Sequence, residues 1–246
     1  MTRAGCVLLA AALVACGTTG GNVVDFQVVA RGAGSTSYPS AFGWHIELAR
    51  ATLHIGAVYL NLTRPNSGLQ DTQCILPGVY TAQELAPIDV DVLSTAPQPF
   101  AEPGTGTDDE ALTGEVWLTG GDVNADSDAT VIADLAGTAT KDAQVLPFSA
   151  TIQINSANRG IPGSPAFPGL HPICKQRIVS PILIDLRPHT GGTLAVIVDP
   201  SGWFANVDFS QIPPDGVFPD ERNNTASDHL FNAIRAATAT FQFSFQ

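Results

Sequence analysis

Trp44-His45-Ile46-Glu47-Leu48-Ala49-Arg50-Ala51-Thr52-Leu53-His54-Ile55-Gly56-Ala57-Val58-Tyr59 is the stretch on which the fold class turns. Trp44, Ile46 and Leu48 alternate with His45, Glu47 and Ala49; further on, Leu53, Ile55, Ala57 and Tyr59 alternate with Thr52, His54 and Gly56. A repeat of two puts one set of side chains on one face of an extended chain, the pattern of a β-strand with a single buried side. The apolar set moves from even to odd numbers around Ala49 to Ala51, so a bulge or tight turn there must restore the inward face. A helix over 47–53 is the rival reading of the same residues.

Outward from this stretch the same signals recur. Residues 23–29 are rich in β-branched side chains, and 88–93 alternate with Asp89 and Asp91 directed to water. Further strands are expected at 115–119, 130–140, 145–154, 177–186, 193–199 and 238–245. The Lys141-Asp142-Ala143 turn joins 130–140 to 145–154 as a hairpin, and Phe241, Phe243 and Phe245 share one face of the last strand. Short helical structure is expected at 81–86, and one helix at 228–237, capped by Ser227 with Leu230, Phe231 and Ile234 on one stripe. Residues 95–113, 120–128 and 155–175 read as long loops, in keeping with 23 glycines and 18 prolines. About ten strands and one helix define an all-β fold, an antiparallel β-sandwich with long Pro/Gly-rich loops and one short C-terminal helix. An outer-membrane barrel is the competing architecture; three tyrosines and three tryptophans without aromatic pairs at strand ends argue against it.

The amino terminus carries an address rather than fold. Arg3 precedes a nearly continuous apolar run over 4–12, and Ala15 precedes Cys16. Roughly 20 apolar residues are needed for a spanning helix, so this run is too short for one. Leu13-Val14-Ala15-Cys16 resembles the lipobox of bacterial lipoproteins. The resemblance implies cleavage before Cys16, a diacylglycerol thioether and a further acyl chain such as palmitate on that cysteine, and attachment to a membrane through the lipid. Gly17 stands where an inner-membrane retention signal would have Asp, which implies the outer membrane. The organisation expected is a signal peptide at 1–15, a flexible tether at 16–22 and a single domain at 23–246. A plain secretory signal is the alternative.

Removing residues 1–15, Arg3 among them, leaves 231 residues and takes the formal charge from −12 to −13. Nucleic acid and anionic lipid surfaces are recognised by clustered Lys and Arg, so this balance excludes nucleic acid as a partner. A hydrophobic fraction of 44% excludes a disordered polyanion. With Cys6 removed and Cys16 lipidated, Cys74 and Cys174 remain, and an exported protein is expected to join them as a disulfide. Closing a loop of about 100 residues contributes roughly 4.7 kcal/mol in the chain-entropy model. Two separate thiols are the alternative.

Candidate chemistry is sparse. Asp122, Asn124, Asp126 and Asp128 place oxygen ligands on alternate residues, as the opening of a Ca²⁺ loop does. The pattern resembles an EF-hand or dockerin loop, then departs from it: Ser127 stands where the loop needs Gly, and Ala133 where a closing acid belongs. A polar turn explains the same residues. His45 and His54, if brought together from neighbouring strands, would suit copper or zinc. No catalytic residues are assigned, since G-x-S-x-G, H-E-x-x-H, P-loop and dinucleotide patterns are missing from the sequence. An envelope hydrolase assembled from the long loops is kept as a further alternative. Residues 44–48 and 58–61, with 192–199, Trp203-Phe204 and the closing strand, are similar in pattern to periplasmic copper-binding β-sandwich proteins of the methanobactin-associated type. That resemblance implies a sandwich and a copper cofactor. The function expected is a lipid-anchored cell-envelope binding or structural module of unspecified ligand, with a copper- or calcium-binding protein as the alternative.

Overall fold

The computed structural model describes residues 20–64, 79–119, 127–155, 174–220 and 224–246. Fourteen strands follow in chain order among these residues: β1 (Val23–Gly32), β2 (Ser37–Pro39), β3 (His45–Ile55), β4 (Ala57–Asn61), β5 (Tyr80–Glu84), β6 (Ile88–Asp91), β7 (Gln98–Pro99), β8 (Gly104–Thr107), β9 (Ala111–Trp117), β10 (Ser127–Lys141), β11 (Gln144–Asn155), β12 (Ile178–Leu186), β13 (Thr193–Val198) and β14 (Phe241–Phe245). Three α-helices accompany them, α1 (Cys174–Arg177), α2 (Thr225–Ile234) and α3 (Ala237–Thr240), with short 3-10 turns at Pro200–Gly202 and Phe209–Gln211. The strands form two sheets. The smaller runs β11-β10-β3-β2 with β6 also on β3; the larger runs β12-β9-β4-β5-β8-β1-β13-β14 with β7 also on β1. Both share one apolar core. The all-β, two-sheet architecture expected from the alternation is therefore present, with one departure from antiparallel pairing: β1 and β13 run parallel from Gln27↔Thr193 to Gly32↔Val198.

The deciding stretch is one continuous strand, not a helix. Ile46 and Leu48 are buried before the expected interruption, and Ala51, Leu53 and Ile55 after it. Gly137 of β10 faces Leu48 while Ala136 faces Arg50, so Ala49 is the extra residue of a bulge. Glycine is required opposite it: a Cβ on Gly137 would lie 2.3 Å from the Glu47 carbonyl oxygen. The parity changes again at Gly56, whose N–H donates to the Trp117 carbonyl at 2.7 Å as the chain passes from the smaller sheet to the larger. From there Val58 and Leu60 face the core, and Tyr59, expected inward with Leu53 and Ile55, faces out.

The larger sheet coils strongly. Phe243 of β14 sits over Gly114 of β9, six strands away along the hydrogen-bonded path, and a Cβ there would lie 2.3 Å from its ring. The sheet's two edges thus approach one another without pairing. The edge of β11 is covered instead by residues 216–218: Ser149 N–H donates to the Gly216 carbonyl at 3.0 Å, and Phe218 N–H to the Ser149 carbonyl at 2.9 Å. Satisfying the edge in this way removes a template for aggregation. Phe148, Phe204, Phe209 and Phe218 pack together there at centroid separations of 5.0–6.5 Å.

Four expectations are corrected. Residues 81–86 are not helical but contribute to β5, because Tyr59 and Leu60 pair with Gln83 and Ala82. The loop at 95–113 contains β7 and β8, whose glycines have low strand propensity on their own but fit under Phe26 at Gly104. The helix begins earlier: α2 is capped by Asn224, whose side chain accepts from Ser227 N–H at 3.0 Å, so Ser227 lies inside the first turn. Residues 238–240 belong to α3, and the last strand starts at Phe241.

Candidate functional site

The outer face of the larger sheet carries the chemistry that the alternation hides. On β4, Val58 and Leu60 turn inward, which sends Tyr59 and Asn61 outward. On β9 the inward Val116 sends Glu115 and Trp117 outward. Register brings them together: Tyr59 lies opposite Glu115 on one side and Gln83 on the other. The rings of Trp117, Tyr59 and Tyr80 then make a strip across β9, β4 and β5, with centroids 4.9 Å and 5.4 Å apart and tilts of 46° and 65°. Such tilted and edge-on contacts each contribute about 0.5–1.5 kcal/mol beyond the area buried.

Glu115 lies beneath this strip and is fully buried. Tyr80 Oη–H donates to its Oε1 at 3.1 Å and Trp117 Nε1–H to its Oε2 at 3.2 Å. Burial pushes the Glu115 carboxyl up from its ordinary value, and the two donors oppose that shift only in part. The Tyr80 phenol is raised as well, by burial first and by the neighbouring Glu115 charge second; Tyr59 is raised for the same two reasons. Beside them Asn61 is fully buried, its Oδ1 accepting from Thr63 N–H at 2.8 Å and Thr63 Oγ1–H at 2.6 Å, while its Nδ2 has no partner among the described residues. Glu84 turns the other way, into the core, where burial raises its carboxyl and Ala86 N–H donates to Oε1 at 2.7 Å.

The residues singled out from sequence fall elsewhere. His45 and His54 are not on neighbouring strands but nine positions apart on β3, a separation of roughly 30 Å at about 3.3 Å per residue. Each has its own partner: His45 Nε2 hydrogen-bonds Ser37 Oγ at 2.9 Å, and His54 Nδ1 hydrogen-bonds Asp89 Oδ1 at 2.7 Å. The pair cannot close on one copper ion, whose imidazole ligands must sit about 2 Å away. The same separation splits a hydrolytic triad, with the exposed Ser37–His45 contact at one end of the strand and the His54–Asp89 pair at the other. Asp122, Asn124 and Asp126 lie outside the described residues; Asp128 belongs to β10 rather than to a loop, and its side chain is outside that description. Cys16 and Cys74 also lie outside the described residues, and Cys174 begins α1. Among the described residues no group of three or more His, Cys, Asp or Glu side chains could hold a metal ion. No helix among them is long and apolar enough to cross a membrane.

The aromatic and carboxylate cluster is hidden from the sequence because the alternation places Tyr59 on the inward face. A signal is present nonetheless: Glu115 and Trp117 are two apart on a strand, and the chain has only three tyrosines and three tryptophans to place. No protein-family model matches the chain, and no curated protein or solved structure matches it. The site therefore stands on its own geometry.

Proposed function

We propose that the protein is a lipid-anchored module of the bacterial cell envelope that binds a partner through the outer face of its larger sheet. The observation that carries this reading is how closely the lipobox precedes the domain: Leu13-Val14-Ala15-Cys16 is followed within five residues by Gly21, whose N–H donates to Asp109 at 3.2 Å, and by Asn22, held by both carboxylate oxygens of Asp108. With Gly21 and Asn22 already held by the domain, a full extension of at most ~3.6 Å per residue keeps Gly21 within about 18 Å, and the first strand at Val23 within about 25 Å, of the Cys16 backbone. Each buried acyl methylene adds about 0.8 kcal/mol of attachment, so several chains on Cys16 hold the domain at the membrane. Gly17 directs it to the outer membrane, and the oxidising compartment joins Cys74 to Cys174.

Expression in a bacterial host supplied with an alkyne-bearing palmitate tests the anchor. The wild type is expected to take the label and partition into detergent, and Cys16→Ser to do neither. Mass spectrometry showing an unmodified amino terminus on the mature wild-type chain would overturn the reading.

A further inference from the structure

A single register line crosses five strands of the larger sheet: Glu115 faces Tyr59, Tyr59 faces Gln83, Gln83 faces Thr105, and Thr105 faces Asp25. All point outward, because Val116, Leu60, Ala82, Gly104 and Phe26 beside them face the core. At about 4.8 Å per strand, Tyr59 to Asp25 spans ~14 Å. Gln83, Thr105 and Asp25 are exposed. None of their side chains, nor the Tyr59 hydroxyl, makes a hydrogen bond among the described residues. The row therefore ends in an aromatic strip and continues as an amide, a hydroxyl and a carboxylate whose hydrogen-bonding capacity is unspent. Asn61, one position along β4 from this row's neighbour Leu60, adds a buried amide donor with no partner among the described residues.

We infer that this face binds the sugar rings of a neutral glycan, Tyr59 and Trp117 taking the C–H faces of the rings and Gln83, Thr105 and Asp25 their hydroxyls. Three features select this ligand. The row holds no Lys or Arg, in a chain of net charge −12, so an anionic ligand finds no counter-charge. Both Glu115 oxygens are already taken by Tyr80 and Trp117, and the exposed Asp25 carboxylate lies ~14 Å from Tyr59 along the row, so no free carboxylate stands beside the rings to hold a cation against them. The rings touch one another at 4.9 and 5.4 Å, which leaves no gap to enclose an ammonium group between aromatic faces. What remains is a surface with aromatic faces at one end and paired donors and acceptors along its length, the combination that sugars require: apolar ring faces and vicinal hydroxyls on one molecule. The assignment rests on the binding-module reading above and gives it a ligand class.

The fluorescence of Trp117 provides the readout. Trp44 and Trp203 are 2% and 0% exposed, and Trp117, half-buried on this face, is the one tryptophan a ligand there would touch. The full-length protein in a sugar-free detergent is titrated with chitohexaose and, separately, cellohexaose. The first represents an N-acetylated envelope glycan and the second an unsubstituted one. A saturable fluorescence change with at least one of them is expected. Gln83→Ala with Thr105→Ala, both exposed, should weaken it tenfold or more, as should Tyr59→Ala, while Asp142→Ala in the remote hairpin turn should bind as wild type. No response to either sugar at millimolar concentration, or unchanged affinity in the Gln83/Thr105 double variant, would overturn the assignment. Mass spectrometry of the same sample reads the lipid separately. Acylated protein that ignores both sugars refutes the ligand alone, and unacylated protein that binds one refutes the anchor alone.

Discussion

The Tyr80 hydroxyl on β5 reaches over β4 to donate to Glu115 Oε1 on β9 at 3.1 Å, tying three strands through one buried carboxyl group. The second oxygen holds the Trp117 indole N–H at 3.2 Å. Burial raises the carboxyl's pKa, and this sets the sign of a pH effect. Well below the ordinary carboxylate range, Glu115 is protonated in both the folded and unfolded chains, and its contribution is complete. As pH rises the unfolded chain ionises first, so stability falls through the window that ends at the raised folded value. Glu84, also raised by burial, acts in the same direction. Glu115→Gln should therefore flatten the decline in melting temperature as pH rises above the ordinary carboxylate range. Glu115→Ala removes the acceptor that Tyr80 and Trp117 share and should cost about 1–3 kcal/mol, measured by denaturant unfolding. A parallel pH profile for wild type and Glu115→Gln would contradict the assignment of a buried carboxyl whose pKa is raised on folding.

Gly114 should be the least replaceable residue of β9. The Phe243 ring occupies the space a side chain would need, 2.3 Å from where a Cβ would stand, and this contact seats the edge strand β14 on β9, the strand next to the sheet's other edge. Gly114→Ala should destabilise by about 1–3 kcal/mol through overpacking. Phe243→Leu, which removes the ring, should recover part of that loss when combined with it. Additive losses in the double variant, measured by thermal unfolding, would show that the two residues do not meet.

The helix start separates two residues that sequence alone confuses. Asn224 accepts from Ser227 N–H at 3.0 Å and has extended dihedrals, whereas the Ser227 hydroxyl is buried with no partner among the described residues. Asn224→Ala should cost about 1 kcal/mol, the usual worth of a cap. Ser227→Ala removes an unsatisfied buried hydroxyl and should be neutral or stabilising in the same unfolding assay. The reverse order of effects would return the cap to Ser227.

What could be read from the chain follows from which forces act locally. An interruption at Ala49 to Ala51, bulge or tight turn, is legible because a half-buried strand cannot change parity without one, and the pairing with β10 makes it a bulge; the 130–154 hairpin is legible because its turn and both strands are contiguous. The change of sheet at Gly56 was not legible. Leu53, Ile55, Ala57 and Tyr59 keep an unbroken alternation, and only the pairing of β4 with β9 and β5 reveals that its outer and inner faces have exchanged. That single exchange concealed Tyr59, and with it the cluster around Glu115. β8 was hidden for another reason: Gly104-Thr105-Gly106-Thr107 has loop composition, and its glycines serve tertiary contacts, with Phe26 against Gly104 and the Thr81 carbonyl against Gly106. The histidines illustrate the converse, since strand assignment was right for both and still could not place them at opposite ends of one strand.

Asp108 holds the residue just ahead of β1. Its Oδ1 accepts from Asn22 N–H at 2.7 Å and its Oδ2 from the Asn22 side-chain amide at 2.9 Å, and these bonds hold its carboxyl below the ordinary carboxylate range. A depressed carboxylate contributes its hold above the unfolded pKa and loses it as pH falls through the lower folded value. The backbone amide of Asn22 should therefore be protected from hydrogen exchange at neutral pH and lose that protection under strong acid, before the core strand β1 opens. Asp108→Ala should remove the protection at every pH while leaving the amides of Phe26 and Val28 slow, because those are held by β8, β7 and β13 rather than by the acidic turn. Hydrogen exchange followed by mass spectrometry of the amino-terminal peptide measures both. If Asn22 stays protected in Asp108→Ala, a contact other than the Asp108 carboxylate holds this end of the domain.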